Sequence, residues 1–249
     1  FVNLDQQETG TGPYFWDPSR ADPDKVSGAS GTGVNPDTIG GNMWSNRDQW
    51  SQGGLGVNIA QRGTTAYTQL EGKDVVLFSD ANGNLWKYIA NDVNNPAADT
   101  WEKIGKRSIT GKSSGGSSAY DPIRNILLTG VSGIDNQSLL NYWDLSHSGP
   151  DNRSTVISLE FIDLYQGETP PDFFLSGIQY DPISGVFISW GGNDDLWVIR
   201  PPELLGADGW TATRVIPSGT GPQLPSNSTF TGIYGKWLYL EEEDAYLGV

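Results

Sequence analysis

The segments Ser118-Ala-Tyr-Asp-Pro-Ile-Arg-Asn-Ile-Leu-Leu-Thr-Gly130 and Ile178-Gln-Tyr-Asp-Pro-Ile-Ser-Gly-Val-Phe-Ile-Ser-Trp190 match in register. Each reads as a strand ending in Tyr, an Asp-Pro turn and a second, apolar strand. Proline presets φ for the turn, and the Asp carboxylate can accept from the backbone ahead of it. The pattern predicts one hairpin written twice, with two looser copies around it. Thr65-Ala-Tyr67 leads through Glu71-Gly-Lys-Asp74 to Val75-Val-Leu-Phe78, and Trp237-Leu-Tyr239 leads through Glu241-Glu-Glu-Asp244 to Ala245-Tyr-Leu247. The anchoring tyrosines Tyr67, Tyr120, Tyr180 and Tyr239 are 53, 60 and 59 residues apart.

A further pair of strands follows each of the first three hairpins. Asn84-Leu-Trp-Lys-Tyr-Ile89 precedes Trp101-Glu-Lys-Ile104, Leu140-Asn-Tyr-Trp-Asp-Leu145 precedes Thr155-Val-Ile-Ser-Leu159, and Asp195-Leu-Trp-Val-Ile-Arg200 precedes Trp210-Thr-Ala-Thr-Arg-Val-Ile216. Four strands at a period of roughly 50 to 60 residues predict an all-β β-propeller of four-stranded antiparallel blades, about four of them visible. The expected division of the single domain, residues 1–249, is an irregular N-terminal segment at 1–63 with strands of an earlier blade. Blades follow at 64–116, 117–175 and 176–230, and a partial last blade at 231–249. Gly130, Gly133, Gly191 and Gly192 mark either simple turns or places where backbones approach closely near a central channel.

Composition agrees with a β-rich chain. Glycine (32) and proline (15) supply turns, while 10 Trp, 10 Tyr and 8 Phe supply bulky apolar surface. The net charge of −15 repels a phosphate backbone, so nucleic acid is not an expected partner. With no Cys, disulfides, thiolate metal sites and cysteine nucleophiles are excluded. No apolar run of 18 or more residues predicts a membrane span, and a chain that begins at Phe1 without a signal peptide reads as processed or excised.

The Tyr-Asp-Pro hairpins, Ser189-Trp-Gly-Gly192 ahead of Trp197, and Gly232-Ile-Tyr-Gly-Lys-Trp-Leu-Tyr239 resemble the closing blades of secreted galactose-oxidase/kelch-type β-propellers. The resemblance covers residues 64–249 and implies a ring of six or seven blades, of which this chain would be a fragment; a small ring closed by both termini is the alternative. It also implies an extracellular, cell-surface or periplasmic location. The partners it implies are a glycan, an extracellular protein, the remaining blades or further copies. Copper-radical oxidation is excluded, because it needs a Cys–Tyr pair and two His ligands and the sequence holds only His147. The expected function is therefore a non-catalytic extracellular module that binds glycans or proteins or joins an assembly. A polysaccharide-active enzyme resembling propeller-type lyases, with its catalytic residues mostly outside these 249 residues, is the alternative.

Candidate chemistry is sparse. His147, in Ser146-His-Ser-Gly-Pro-Asp151, has no Gly-x-Ser-x-Gly elbow beside it and reads as a loop residue. Carboxylates that could pair as in a glycosidase are Glu168, Asp172, Asp194, Asp195 and Glu241 to Asp244, among 30 acidic residues in all, so spacing alone selects none of them. No cofactor is expected apart from Ca2+: Asp80-Ala-Asn-Gly-Asn84 places oxygen ligands at Asp80, Asn82 and Asn84, although Asn82-Gly83 is also a simple hairpin turn. For a sugar platform, Trp44 and Trp50 offer stacking faces and Asn46 and Arg47 offer hydrogen bonds, with Asp194 and Asp195 as further ligand-binding candidates. Tyr120, Arg124 and Tyr180 occupy repeat positions and read as structural. Asn136, Asn152 and Asn227 begin formal glycosylation sequons.

Overall fold

The computed structural model describes three strands before residue 64: β1 (Val2–Asn3), β2 (Tyr14–Trp16) and β3 (Trp44–Asn46), which pair antiparallel in that order. From residue 64 it describes all residues except 81, 93–94, 96–97, 109–115, 133–137, 163–170, 192–195, 216–236, 241 and 249. Sheet I is an antiparallel meander of β4 (Thr64–Leu70), β5 (Lys73–Ser79), β6 (Asn84–Ile89) and β7 (Thr100–Lys106). Sheet II joins β8 (Ser118–Asp121), β9 (Ile126–Ser132), β10 (Ser138–Asp144) and the short β11 (Thr155–Val156). The chain then runs through β12 (Leu159–Ile162), and sheet III meanders along β13 (Gly177–Asp181), β14 (Val186–Trp190), β15 (Leu196–Arg200) and β16 (Trp210–Val215). Strand β12 pairs parallel to β16 as a fifth strand, and sheet IV is the hairpin of β17 (Trp237–Leu240) and β18 (Ala245–Gly248).

The hairpin turns follow from their residues. Asp121 Oδ1 accepts from the amides of Ile123 and Arg124 at 2.8 and 3.1 Å, and Asp181 Oδ1 from those of Ile183 and Ser184 at 2.9 and 3.2 Å. The last loop residue in three hairpins is left-handed: Asn125 (φ 53°), Gly185 (φ 66°) and Asp244 (φ 46°), residue types that tolerate that region. In two of them the side chain has a second use, since Tyr120 Oη donates to Asn125 Oδ1 at 2.8 Å and Tyr239 Oη to Asp244 Oδ1 at 2.9 Å.

Strand alternation puts apolar side chains on both faces of sheets II and III, so each sheet is packed on two sides. Ala66, Val75, Leu77, Leu85 and Ile104 of sheet I meet Leu127, Trp143 and Leu145 from sheet II and the turn behind it. The opposite face of sheet II, with Ala119, Ile126, Leu128, Leu140 and Tyr142, meets Ile178, Phe187, Trp197, Ile199, Trp210 and Ala212 of sheet III. Val186, Ile188 and Trp190 on the far face of sheet III pack with Tyr246 of sheet IV. The four sheets thus stack in chain order with their first strands, β4, β8, β13 and β17, adjoining. Among the candidate close approaches, Gly130 is one: a Cβ there would lie 2.2 Å from the Phe173 carbonyl oxygen. Gly133 and Gly192 lie outside the described residues, and Gly191 is exposed.

This architecture corrects the propeller expectation. The sheets of sequence order I to IV hold four, four, five and two strands, none is closed or strongly curled, and among the described residues no ring of repeated four-stranded blades forms. The resemblance to galactose-oxidase/kelch-type propellers, the kelch-like repeat and the implied six- or seven-bladed ring are therefore not supported. With them falls the function inferred from that fold, a propeller module binding glycans or proteins or a propeller-type lyase. The physical reason is in the outer strands. The Tyr-Asp-Pro period reports only the first two strands of a sheet, whereas the strand after β11 does not stay with sheet II but joins sheet III. The Ile157 amide still bonds the Leu140 carbonyl at 3.0 Å, but the Ser158 amide bonds that of Ala207 at 2.8 Å, so the chain leaves sheet II between these residues and continues as β12 on sheet III. The same trade ties sheet I to sheet II: Lys106 donates to the Asn152 carbonyl at 2.8 Å and bridges Arg153 in parallel.

Candidate ligand-binding cleft

Residues 85, 87 and 89 of β6 share a face, and that face is the one packed on sheet II. Leu85 is buried in the interface, but Lys87 stands where an apolar residue would continue it. Its ammonium pairs with Glu102 Oε2 across the β6–β7 ladder at 2.6 Å, and its side chain is 19% exposed. The two sheets part at this level. They leave a cleft of about 450 Å³ between the β4–β5 hairpin and the turns that follow β8 and β10.

Its apolar side chains are Leu70, Val75, Ile89 and Ile104 from sheet I, with Tyr120, Pro122 and Leu145 from the sheet II side. Polar groups are nearly as many: Gln69, Glu71, Lys73, Lys87, Asn125 and Ser148. A space of this size with such a mixed lining falls within the roughly 300–1,000 Å³ usual for a small-molecule site. Lys73 donates to Asn91 Oδ1 at 3.3 Å. Tyr120, held against the wall by its bond to Asn125, has its hydroxyl pKa raised by burial and then by the Asp121 charge, and so stays a neutral donor.

One rim of the cleft is the 3-10 turn Leu145–His147, capped by Asp144, whose carboxylate accepts from the Ser146 amide at 2.9 Å. Burial works to raise the Asp144 carboxyl, but the bonds from Ser146 and His147 outweigh it and hold it below the usual range. Ser146 Oγ and Asp144 Oδ2 both lie 3.0 Å from the same ring atom, His147 Nδ1. A nucleophilic relay needs the hydroxyl on one ring nitrogen and the carboxylate on the other. The cluster is a capped turn with an exposed histidine, as its loop composition suggests.

The calcium candidates are placed differently. Asp80 is fully buried and its carboxylate is engaged by the hairpin: Oδ1 accepts from the Asn84 amide at 2.8 Å, and Oδ2 from Asn84 Nδ2 and Trp86 Nε1 at 2.9 Å each. Asn82 is exposed in the turn. The buried Arg107 lies over Gly83, where a Cβ would stand 2.8 Å from its Nη2. Burial lowers its pKa and the Asp80 charge opposes that effect. Among the described residues no three His, Cys, Asp or Glu side chains are grouped to hold a metal ion.

Of the sugar-platform candidates, Trp44 and Asn46 belong to β3, while Arg47, Trp50, Asp194 and Asp195 lie outside the described residues, as do Glu168 and Glu241. Asn136 and Asn227 lie outside them too, and Asn152 uses its amide to donate to the Asp144 carbonyl at 2.9 Å. Arg124 joins two hairpins, donating from Nη1 to Asp121 Oδ2 at 2.7 Å and to the Gly185 carbonyl at 3.2 Å. The cleft residues Leu70, Lys73 and Lys87 are not among the sequence-derived candidates. The readable cue is a lysine between Leu85 and Ile89 on one face of β6, where a core residue fits the alternation. No protein-family model matches this chain, and no curated protein or solved structure matches it.

Proposed function

We propose that the chain is a binding module for a small molecule with an apolar body, held in the cleft between sheets I and II. The observation that carries this reading is the parting of two otherwise close-packed sheets into a space of about 450 Å³ walled by Leu70, Val75, Ile89, Ile104 and Tyr120. Filling that space with an apolar ligand removes both its surface and the walls from water, a gain of roughly 25 cal/mol per Å² of apolar area. Most of the polar groups lie at the ends of strands or in turns and Lys87 lies within β6, so hydrogen bonds can orient a ligand that the apolar side chains hold.

Phenylnaphthylamine, a neutral fused-ring amine that fluoresces when it leaves water, tests the reading. It is expected to bind the wild-type chain with one-site saturation. Ser148→Trp, a substitution at an exposed rim position, and Leu70→Trp, inside the wall, are each expected to weaken that binding at least tenfold while the circular dichroism spectrum is kept. No binding, or binding that both variants leave unchanged, overturns the proposal.

A further inference from the structure

We infer that the ligand of this cleft is an amphiphilic monoanion, its acidic head held by Lys73 at the β4–β5 hairpin end and its apolar body against Leu70, Ile89 and Tyr120. The inference rests on the cleft being a binding site and adds the chemical class of what it binds.

Three observations carry it. The chain has a net charge of −15, with 15 basic residues against 30 acidic ones, yet the cleft is lined by two lysines and one carboxylate, Glu71. Glu71 and Lys73 are both exposed on the β4–β5 hairpin, while Lys87 stands on the core-facing side of its sheet. The two ammonium groups are also compensated unequally. Lys87 has the Glu102 carboxylate at 2.6 Å, whereas the one hydrogen bond of Lys73 among the described residues is to the neutral amide of Asn91 at 3.3 Å. Lys73 therefore brings to the lip of the cleft a positive charge with no ion pair among the described residues, and a ligand carboxylate or sulfonate is the group that would pair with it. Its ammonium is a compact charge without the flat, forked geometry of arginine, so it suits a single negative head of any shape rather than one planar acid.

The overall acidity sharpens the requirement. An anion approaching this chain meets a repulsive field at long range, so its recognition depends on contacts made inside the Debye length of about 8 Å at physiological ionic strength. The apolar walls supply the part of the affinity that the field does not oppose, which is why the ligand class is an amphiphile and not a small inorganic anion.

Anilinonaphthalene sulfonate differs from phenylnaphthylamine by its sulfonate alone, and the pair separates this inference from the reading it rests on. The sulfonate is expected to bind at least fivefold tighter than the neutral amine. Lys73→Gln is expected to remove most of that difference, leaving affinity for the neutral amine within twofold. Lys106→Gln, which removes the same charge from a residue outside the cleft, is expected to leave both affinities unchanged. Equal affinity for the two probes, tighter binding of the neutral one, or equal losses in Lys73→Gln and Lys106→Gln overturns the anion assignment while the cleft still binds. Failure of both probes to bind overturns the site itself.

Discussion

Position 185 is where one hairpin departs from the chemistry of its neighbours. Tyr120 and Tyr239 each donate to the side chain five residues on, but the residue five beyond Tyr180 is glycine. The Tyr180 hydroxyl is buried with no hydrogen bond of ordinary length, although Asp121 and Arg124 of the neighbouring hairpin lie near enough to act on it, and a Cβ on Gly185 would stand 3.9 Å from it. Gly185→Asn is expected to raise stability by about 1 kcal/mol. Asn tolerates the left-handed turn, restores an acceptor, and restricts the unfolded chain. Urea unfolding of the variant checks this, and a loss of stability would show that the hydroxyl is already satisfied. The Asp-Pro turns and the carboxylates bonding ahead of themselves are legible at this scale because they are local consequences of residue type; the left-handed Asn125 and Asp244 emerge with the structure.

At the scale of elements, the β5–β6 hairpin depends on one buried acid. Asp80 accepts three bonds from Asn84 and Trp86 and places its charge near the buried Arg107. Asp80→Ala would leave the Trp86 indole N–H and the Asn84 amide groups without this acceptor and the guanidinium without a countercharge. A loss of about 3 kcal/mol is expected by urea denaturation, as befits a buried, multiply bonded carboxylate. A loss under 1 kcal/mol would mean that solvent reaches the turn. The sequence marked these residues through their spacing, but spacing alone leaves a calcium loop and a capped hairpin open. What closes the carboxylate around protein donors is the return of the chain at Trp86 and the packing of Arg107 over Gly83, both contacts across the ladder.

Over the whole molecule, several tyrosines knit the sheets together and share one electrostatic property. The Tyr180 hydroxyl is pushed up to about 12, by burial first and then by Asp121 of the neighbouring hairpin. Tyr246 is raised further, by burial and by Asp181, and Tyr120 is raised as well. In the unfolded chain these groups lose their protons near pH 10, so above that value the folded state holds more protons than the unfolded one. Stability is accordingly expected to be level with respect to these groups below about pH 10 and to fall as pH rises towards 12. Tyr180 alone accounts for about 1–2 kcal/mol after discounting for solvent screening. Urea midpoints at pH 9 and pH 11.5 test this, with Tyr180→Phe expected to flatten the decline; a decline of the same size in that variant would assign it to other groups.

The residues themselves determined the all-β class, the hairpins at Tyr120 and Tyr180 and their Asp-Pro turns, because these depend on neighbours within a few positions. They did not determine how many strands each sheet acquires. Thr155 to Ile162 has the same extended character on sheet II as on sheet III, and only the packing of Phe161 beside Phe173 and Trp197, with β12 aligned along β16, decides where it goes. The cleft has the same origin. Lys87 on an apolar face was legible, but whether it is a solvated position or the lip of a cavity depends on how far sheets I and II stand apart at that level. The tertiary structure sets that distance through side chains such as Trp143, buried against Gly105, where a Cβ would lie 3.0 Å from the indole.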